Sequence, residues 1–323
     1  MNDIINDGKF LLDINDKSNW QRVNIDMRDG KLNEEQRIII YPEGVHQRFE
    51  FTDSIFYGQA TYHEHTFGWE TFFIVDGSMD FTAHGKTCTV TNGDVIFVQP
   101  YCSHQMSFLE PTRWRATFHD INMCGILNNW NRALKYLPDQ LTTPAFTSSY
   151  LANRNNIVRE PAFSTRVDKS EVSEVRGVGK WLNRYDFEGL CMKQITARWE
   201  NNGVNEMWCF EMEDGFGVKY RPVVPIDDLF YVIDGEVEFH VGDQVFTAYK
   251  DCLVKIPTYA PRSFRSKGKS IMYDIGGTTH WLDMVDEYLS IKHNKPEKLK
   301  DNEYMDVILA RHECFVQSFG LLK

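Results

Sequence analysis

The sequence predicts an all-β protein with two similar barrels in tandem, followed by C-terminal helices. The chain has 323 residues, a length that favours two domains. Aromatic residues make up 14% of it, and large rings pack well on pleated sheets. The segments 70–100 and 228–257 both have the pattern of short strands joined by turns. Many short strands with regular turns are typical of a sandwich or a barrel.

Matching acidic, glycine and proline positions define this internal repeat. In each copy an opening acidic residue lies seven residues before a glycine, and an aspartate lies six residues before a proline. The matched positions are Glu70, Gly77, Asp94 and Pro100 in the first copy, and Asp228, Gly235, Asp251 and Pro257 in the second. The same unit therefore occurs twice, and its recurrence indicates a duplicated fold.

Turn and breaker residues place the strands within each copy. The stretches FFIVDGSMDF and FYVIDGEVEF predict hairpins that turn at Asp-Gly. The stretches DVIFVQP and CLVKIP predict apolar strands that end at proline. The predicted domains are a first barrel at 1–124, a connector with a helix at 125–165, a second barrel at 166–277, and helices at 278–323.

Two amphipathic helices are predicted after the second barrel. The stretch HWLDMVDEYLSIKH places Trp281, Met284, Val285 and Tyr288 on one helical face, and DNEYMDVILARHECFVQSF predicts a second helix. An apolar face of this size must cover a barrel wall or a second chain. We therefore expect a homodimer.

Composition excludes several classes of partner. The net charge of −11 disfavours nucleic acid and anionic membrane surfaces, which both attract basic proteins. No apolar run reaches membrane-spanning length, and the start MNDIINDGKFLLDIND lacks the pattern of a signal peptide. The seven cysteines are odd in number and contain no CxxC pair, so we expect reduced thiols in a cytoplasmic protein.

The stretch TYHEHTFGWETFFIVDG, from Thr61 to Gly77, carries groups suited to a metal ion. Residues two apart on a strand point the same way, so His63 and His65 share one face. Glu70 begins the next predicted strand, and His104 follows the strand that ends at Pro100. Three imidazoles and one carboxylate form a mixed nitrogen and oxygen site for a divalent transition ion, with positions left open for substrate.

The spacing of these residues resembles the first motif of the cupin superfamily, G-x5-HxH-x(3,4)-E-x6-G. Here the motif residues are Gly58, His63, His65, Glu70 and Gly77, with four residues instead of five after the first glycine. Gly93, Pro100 and His104 are similar to the second motif, G-x5-P-x-G-x2-H, with altered spacing. The resemblance covers about residues 37–122 and, more faintly, 190–276. The chain thus looks like a bicupin.

The resemblance implies two double-stranded β-helix (jelly-roll) barrels, and one divalent metal, with Fe, Mn or Zn favoured and Ni, Cu or Co as alternatives. It implies His63, His65, Glu70 and His104 as the metal ligands, and Glu70 as a catalytic base. In the second copy the histidine positions become Arg221 and Val223, Glu70 becomes Asp228, and His104 aligns with Pro261. We therefore expect the ion in the first barrel and a structural role for the second.

Strand parity predicts which side chains line a small-molecule pocket beside the ion. The expected lining residues are Gln59, Thr61, Phe72, Tyr101, Met106 and Phe108. Trp69 is expected at the barrel mouth, and His119 is a candidate for a supporting role on the last strand. Cys102 is expected to be a small packed residue, although a thiol so near a ligand could also modulate the ion.

Three classes of function fit this pattern. The first is an enzyme that acts on a small phenolic, enolic or diketone substrate that chelates the metal, and the resemblance to flavonol- and gentisate-cleaving bicupins favours a dioxygenase. Redox-neutral alternatives are a C–C hydrolase of a cyclic diketone and an isomerase. The second class is a metal-dependent small-molecule binder without turnover. The third is a storage bicupin, which the retained ligands disfavour.

Overall fold

The computed structural model divides the chain into two compact units, residues 18–180 and residues 1–17 together with 181–323. We call them the first unit and the second unit. The residues that the structure describes are 10–16, 21–26, 32–40, 49–119, 121, 123–161, 163–177, 180–201, 206–222, 228–257, 259–276, 280–312 and 314–321.

Strands dominate both units. The strands are β1 (Leu11–Asp13), β2 (Gln21–Asp26), β3 (Leu32–Ile40), β4 (Phe49–Gln59), β5 (His63–Glu64), β6 (Trp69–Asp76), β7 (Ser78–Ala83), β8 (Lys86–Thr91), β9 (Asp94–Val98), β10 (His104–His119), β11 (Ile157–Val158), β12 (Thr165–Arg166), β13 (Val175–Gly177), β14 (Arg184–Phe187), β15 (Leu190–Thr196), β16 (Met207–Met212), β17 (Phe216–Pro222), β18 (Asp228–Val241), β19 (Gln244–Tyr249), β20 (Cys252–Ile256), β21 (Arg262–Asp274) and β22 (Cys314–Leu321). The α-helices are α1 (Met123–Tyr136), α2 (Pro144–Ala152), α3 (Trp281–Asn294) and α4 (Asn302–Leu309).

The long strand β10 organises the first unit. One edge of β10 pairs antiparallel with β4, and the other edge pairs with β7 and then with β6. Strand β9 continues the sheet beyond β6, and β8 continues it beyond β7. The inward face of these strands carries one apolar cluster that includes Phe72, Trp114 and Phe118. The curled sheet around that cluster is the expected jelly-roll barrel.

The second unit repeats this plan around β21. One edge of β21 pairs with β16 and β17, and the other pairs with β18. Strand β18 therefore takes the place of β6 and β7 together. The predicted strands before Pro100 and Pro257 are observed as β9 and β20. The predicted duplication is confirmed at the level of strand pairing.

The Asp-Gly pairs do not turn hairpins, so that prediction was wrong. Strands β6 and β7 do not pair with each other, because both run along the same edge of β10. Gly77 lies between them with φ +89°, and a Cβ there would lie 2.9 Å from the carbonyl oxygen of Pro111. Gly235 has φ +75° within the unbroken β18, where a Cβ would overlap the backbone of Lys269. Glycine at this position therefore allows a kink against the neighbouring strand.

The C-terminal segment is only partly helical. Helix α3 has its predicted apolar face, and Trp281, Met284 and Val285 are buried in the core of the second unit. Since the chain covers this stripe itself, the stripe no longer supports a homodimer. The second predicted helix ends at Leu309, and Cys314–Leu321 forms β22 against β17 instead. The pairing with β17 satisfies backbone groups that an open strand edge would leave without partners.

The division into units differs from the predicted boundaries at two places. Strand β1 pairs with β20, so the start of the chain belongs to the second unit. The connector at 125–165 and residues 166–180, which were predicted to open the second barrel, belong to the first unit, because β11 pairs with β5, β12 with β8 and β13 with β9. Among the described residues, no helix is both long and apolar enough to cross a membrane.

Candidate metal centre

Residues at the start of three strands, together with the residue that follows β5, bring the four metal-ligand candidates together. His63 opens β5, Glu70 is the second residue of β6, and His104 opens β10. His63 and His104 face each other as an antiparallel pair. His65 follows β5 directly, and a turn through Gly68, with φ +77°, returns the chain to β6. Local strand spacing thus explains why residues 63, 65 and 70 converge, while β10 brings the fourth from farther along the chain.

The four side chains offer ligand atoms that lie within 4.8 Å of one another. His65 Nε2 lies 3.2 Å from Glu70 Oε1, and His104 Nε2 lies 3.2 Å from Glu70 Oε2. The exposed fractions are 9% for His63, 2% for His65 and Glu70, and 0% for His104. The site is therefore almost closed, and it approaches solvent on the His63 side.

Each imidazole is oriented through its Nδ1 atom. His63 Nδ1 lies 2.8 Å from the carbonyl oxygen of Thr61, and His104 Nδ1 lies 3.0 Å from that of Cys102. His65 Nδ1 lies 2.5 Å from the carbonyl oxygen of Asn155. A carbonyl only accepts, so each Nδ1 carries the proton and each Nε2 presents a lone pair to the shared centre. This tautomer is the one that a metal ligand needs.

Buried polar atoms without a hydrogen-bond partner at the centre are consistent with a bound cation. His65 Nε2, His104 Nε2 and Glu70 Oε2 are buried and have no hydrogen-bond partner. Leaving buried polar atoms unsatisfied costs about 1–3 kcal/mol each. An ion at the point where they converge would remove that cost, and imidazole nitrogen with carboxylate oxygen is a donor set for a divalent transition metal. The residues therefore fit the expected ion.

Electrostatics at the centre also favour a cation. Burial and the neighbouring imidazoles of His104 and His65 lower the pKa of His63 to about 3, so His63 is neutral near pH 7. Burial alone would lower the pKa of His65, but the Glu70 carboxylate raises it above its usual value. Burial alone would raise the pKa of Glu70, but His65 and His104 hold it well below its usual range. Glu70 is therefore ionised.

Asn155 supports the centre from the connector, and the sequence analysis missed it. Besides its carbonyl contact with His65, the Asn155 side chain accepts from the Thr66 N–H at 2.7 Å and donates to the Phe67 carbonyl at 2.6 Å. Asn155 is 7% exposed and has φ +59°, a conformation that asparagine tolerates. Its only sequence signal is a polar stretch after a helix, which indicates a loop but not a partner of His65.

A second connector contact holds β5 on its other side. The Glu64 carboxylate accepts from Ser103 Oγ and from the Arg159 guanidinium. The Arg159 N–H donates to the carbonyl of Tyr62 at 2.9 Å. The segments before and after the histidine motif are thus fixed by residues that lie about ninety positions away, which local pattern analysis does not reveal.

Five of the six expected lining residues fall into two groups. Phe72, Met106 and Phe108 are buried in the inward cluster of the first barrel. Gln59 and Thr61 are exposed, and Thr61 contributes its carbonyl to His63. Gln59 pairs with Ser107 beyond an irregularity in the β4–β10 ladder. Strand parity therefore does not predict which way the Gln59 side chain points. These two side chains are therefore not packed where parity predicts.

Three further candidates lie apart from the ligand atoms. Tyr101 is 68% exposed, and its N–H donates to the carbonyl of His65 at 2.6 Å. Trp69 is 3% exposed and stacks on His119 with ring centroids 4.5 Å apart, so it is not at an open barrel mouth. His119 is the strand neighbour of Phe118, whose partner across the ladder is Glu70. His119 therefore faces the other side of the sheet.

An arginine stands in the second barrel where the first has its metal ligands. The guanidinium of Arg262 pairs with the Asp228 carboxylate, and the Tyr220 hydroxyl also donates to Asp228. Both charged side chains are essentially buried, and the Trp281 ring packs 5.5 Å from the Tyr220 ring. A buried carboxylate needs a positively charged partner, and here that partner is the guanidinium of Arg262, a side chain of the same protein. This supports a structural role for the second barrel.

Comparison with known proteins agrees with this fold. Residues 57–119 match the family model described as Cupin domain. No curated protein matches the sequence. Oxalate decarboxylase from Lactobacillus farciminis, solved as a formate complex, has a TM-score of 0.53 at 15% identity, covering 90% of this chain and 95% of its own. Bacillus subtilis oxalate decarboxylase, in a study of its Mn(II) centres, has a TM-score of 0.53 at 12% identity, with coverages of 88% and 83%.

At such identities the solved structures establish a shared fold and leave the reaction open. The domain match covers the first barrel, with its four ligand side chains and the two-residue spacing of its histidines. The structural match extends over both units. Residues 57–119 therefore match a cupin domain, and the chain as a whole shares the fold of these two oxalate decarboxylases.

Proposed function

We propose that the protein is a metal-dependent enzyme that cleaves a carbon–carbon bond in a small, oxygen-rich substrate. The observation that carries this proposal is the centre itself, where three Nε2 lone pairs and an ionised carboxylate converge. A purely structural ion does not require one side that approaches solvent, as this centre has at His63.

The substrate is argued from the size and polarity of the site. Four protein ligands leave up to two positions on a six-coordinate ion, which two substrate oxygens can fill. The ligands are 0–9% exposed, so the site suits a small acid, enol or diketone better than an extended polyphenol. Phe72, Met106 and Phe108 give the interior an apolar character in which electrostatic interactions are strong.

The residues of this chain divide the work. When bound, the ion supplies Lewis-acid polarisation of the chelating oxygens. Glu70 is the one carboxylate among the ligand side chains, and it can accept the proton that an enol or acid loses on binding. Backbone carbonyls fix the imidazoles, so the imidazoles would keep their positions while Glu70 accepts the proton.

Two reactions fit this assignment, and each has its own support. Dioxygen-dependent cleavage is favoured by the motif resemblance to flavonol- and gentisate-cleaving bicupins. Decarboxylation of a small acid is favoured by the closed site and by the two oxalate decarboxylases that share the fold. Redox-neutral hydrolysis of a cyclic diketone, isomerisation and binding without turnover are the remaining alternatives.

Activity assays under air and without oxygen separate these outcomes. The protein, loaded with Mn²⁺ or Fe²⁺, is incubated with oxalate, small β-diketones and catechols while oxygen uptake and carbon dioxide release are followed. We expect turnover that depends on the ion and is lost in His63→Ala. Oxygen uptake identifies a dioxygenase, and anaerobic carbon dioxide release identifies a decarboxylase. Substrate binding with no turnover in any assay would contradict the enzyme proposal.

A further inference from the structure

A second group of metal-ligand side chains lies in the first unit, apart from the barrel centre. His84 is at the tip between β7 and β8, Cys102 precedes β10, and Glu174 precedes β13. One ligand atom from each lies within 4.8 Å of the others. The sequence analysis expected Cys102 to be a small packed residue and did not place His84 or Glu174 beside it, so their meeting depends on the fold.

The spacing of the three atoms is close to that of ligands around one ion. His84 Nε2 lies 3.0 Å from Glu174 Oε1, and Cys102 Sγ lies 3.6 Å from His84 Nε2 and 4.0 Å from Glu174 Oε1. With bonds of about 2.3 Å to sulfur and 2.0–2.2 Å to nitrogen and oxygen, tetrahedral ligands lie about 3.2–3.6 Å apart. Shifts of a few tenths of an ångström would complete the geometry.

The arrangement differs from a nucleophile with a base and an orienting acid. In such a triad the imidazole contacts the nucleophile through one ring nitrogen and the acid through the other. Here His84 Nε2 faces both Cys102 Sγ and Glu174 Oε1. Convergence of one atom from each residue is the arrangement of metal ligands.

The surroundings are suited to a cation with one open coordination position. Cys102 and Glu174 are 4% and 6% exposed, whereas the His84 side chain is 59% exposed, so water can reach the fourth position. Ser173 Oγ donates to both oxygens of Glu174 at 3.0 Å, which holds the carboxylate in place.

We propose that His84, Cys102 and Glu174 bind a second divalent ion, most suitably Zn²⁺, with water as the fourth ligand. The thiol of Cys102 releases its proton to solvent when Sγ binds the ion, and sulfur favours Zn²⁺ over the harder divalent ions. The Cys102 carbonyl also accepts from His104 Nδ1, so one short segment joins this edge site to the barrel centre.

Cobalt binding tests the proposal, because the barrel centre has no sulfur ligand. The metal-free chain is titrated with Co²⁺, and bound cobalt is counted while thiolate-to-cobalt charge-transfer absorption is recorded. We expect two Co²⁺ per chain and an absorption that added Zn²⁺ abolishes. Cys102→Ser should keep one Co²⁺ and lose the absorption, whereas the matched control Cys88→Ser, at another buried cysteine of the barrel, should behave like the wild type.

A substitution at the exposed residue His84 tests the second metal site if Cys102→Ser does not fold. His84→Asn changes a hairpin tip, and asparagine tolerates the φ of +50° there. It should retain cobalt at the barrel centre and lose the charge-transfer absorption. Absence of this absorption in the wild type with the barrel centre filled would overturn the proposal, as would its persistence in His84→Asn or Cys102→Ser. Both results are independent of whether the barrel centre is catalytic.

Discussion

Glu70 is the residue whose role most directly separates catalysis from metal binding. Its carboxylate lies between His65 and His104 and is held ionised by them. Three imidazole nitrogens can retain an ion without it, whereas a chelating acid or enol must lose a proton to bind. The position of Glu70 therefore matters for proton transfer as well as for coordination.

Glu70→Gln, saturated with metal, should lose about 10²–10⁴-fold in kcat, the usual contribution of general acid–base catalysis. The amide oxygen can still meet the ion, but it cannot carry a proton at neutral pH. Glu110→Gln is the matched control, because Glu110 is an exposed carboxylate of β10 that contacts Ser78 and is not one of the grouped ligand side chains. Full activity in metal-saturated Glu70→Gln would show that another group is the base.

Asn155→Gly should weaken metal affinity about 10–100-fold, the range typical of residues that support metal ligands. Glycine keeps the positive φ and the carbonyl that holds His65, but it loses the side-chain contacts to Thr66 and Phe67. Titration with Mn²⁺ measures the effect. The control Asn153→Gly changes an exposed residue at the end of α2 and should have the wild-type affinity. Equal affinities for both variants would show that the Asn155 amide does not support the centre.

At the scale of elements, helix α3 is fixed to the second barrel at its start. The Trp281 indole donates to Asp274 at 2.7 Å, and its ring packs on Phe210 and Tyr220. The Leu282 N–H, at the first turn, donates to the Glu206 carboxylate at 2.9 Å. An N-terminal helix N–H otherwise has no partner within the helix, so Glu206 satisfies it.

Glu206 should make the stability of the second unit depend on pH. Burial raises the pKa of Glu206 from 4.5 to about 7, so the folded state holds a proton that the unfolded chain has released. The stabilisation is fully present below pH 4.5 and is lost as the pH rises to about 7. At 1.36 kcal/mol per pKa unit, the free energy of unfolding should fall by about 2–3 kcal/mol from this group between pH 5 and pH 8.

Urea unfolding of the wild type and of Glu206→Gln at these two pH values isolates the contribution. Glutamine keeps an oxygen for the Leu282 N–H but does not titrate, so the difference between the two proteins should change by that amount. Parallel pH profiles would contradict the assignment.

At the scale of the whole molecule, locally encoded features were predictable from the sequence. His63 and His65 are related by parity, and one short turn leads from them to Glu70 in β6, so a local pattern predicts their convergence. The duplication was visible because Gly77 and Gly235 recur at a backbone position that only glycine tolerates. Local patterns could not show that the strand segments on both sides of each glycine pair with the same neighbouring strand. That strand is β10 for Gly77 and β21 for Gly235.

Contacts between distant segments account for most of what the sequence did not reveal. Strand β1 pairs with β20 across more than two hundred residues, and Asn155 reaches back ninety residues to His65. Cys102 and Glu174 meet His84 for the same reason. Whether two segments so far apart in sequence meet depends on the packing of the whole barrel. The sequence of a single segment does not encode that packing.

The central claim is that one divalent ion sits between Nε2 of His63, His65 and His104 and the carboxylate of Glu70. Anomalous diffraction from crystals loaded with Mn²⁺ tests it directly. We expect a manganese peak at the first barrel centre, within bonding distance of those nitrogen and oxygen atoms, and no such peak between Asp228 and Arg262. A first barrel centre without manganese, or manganese at Asp228, would contradict the account.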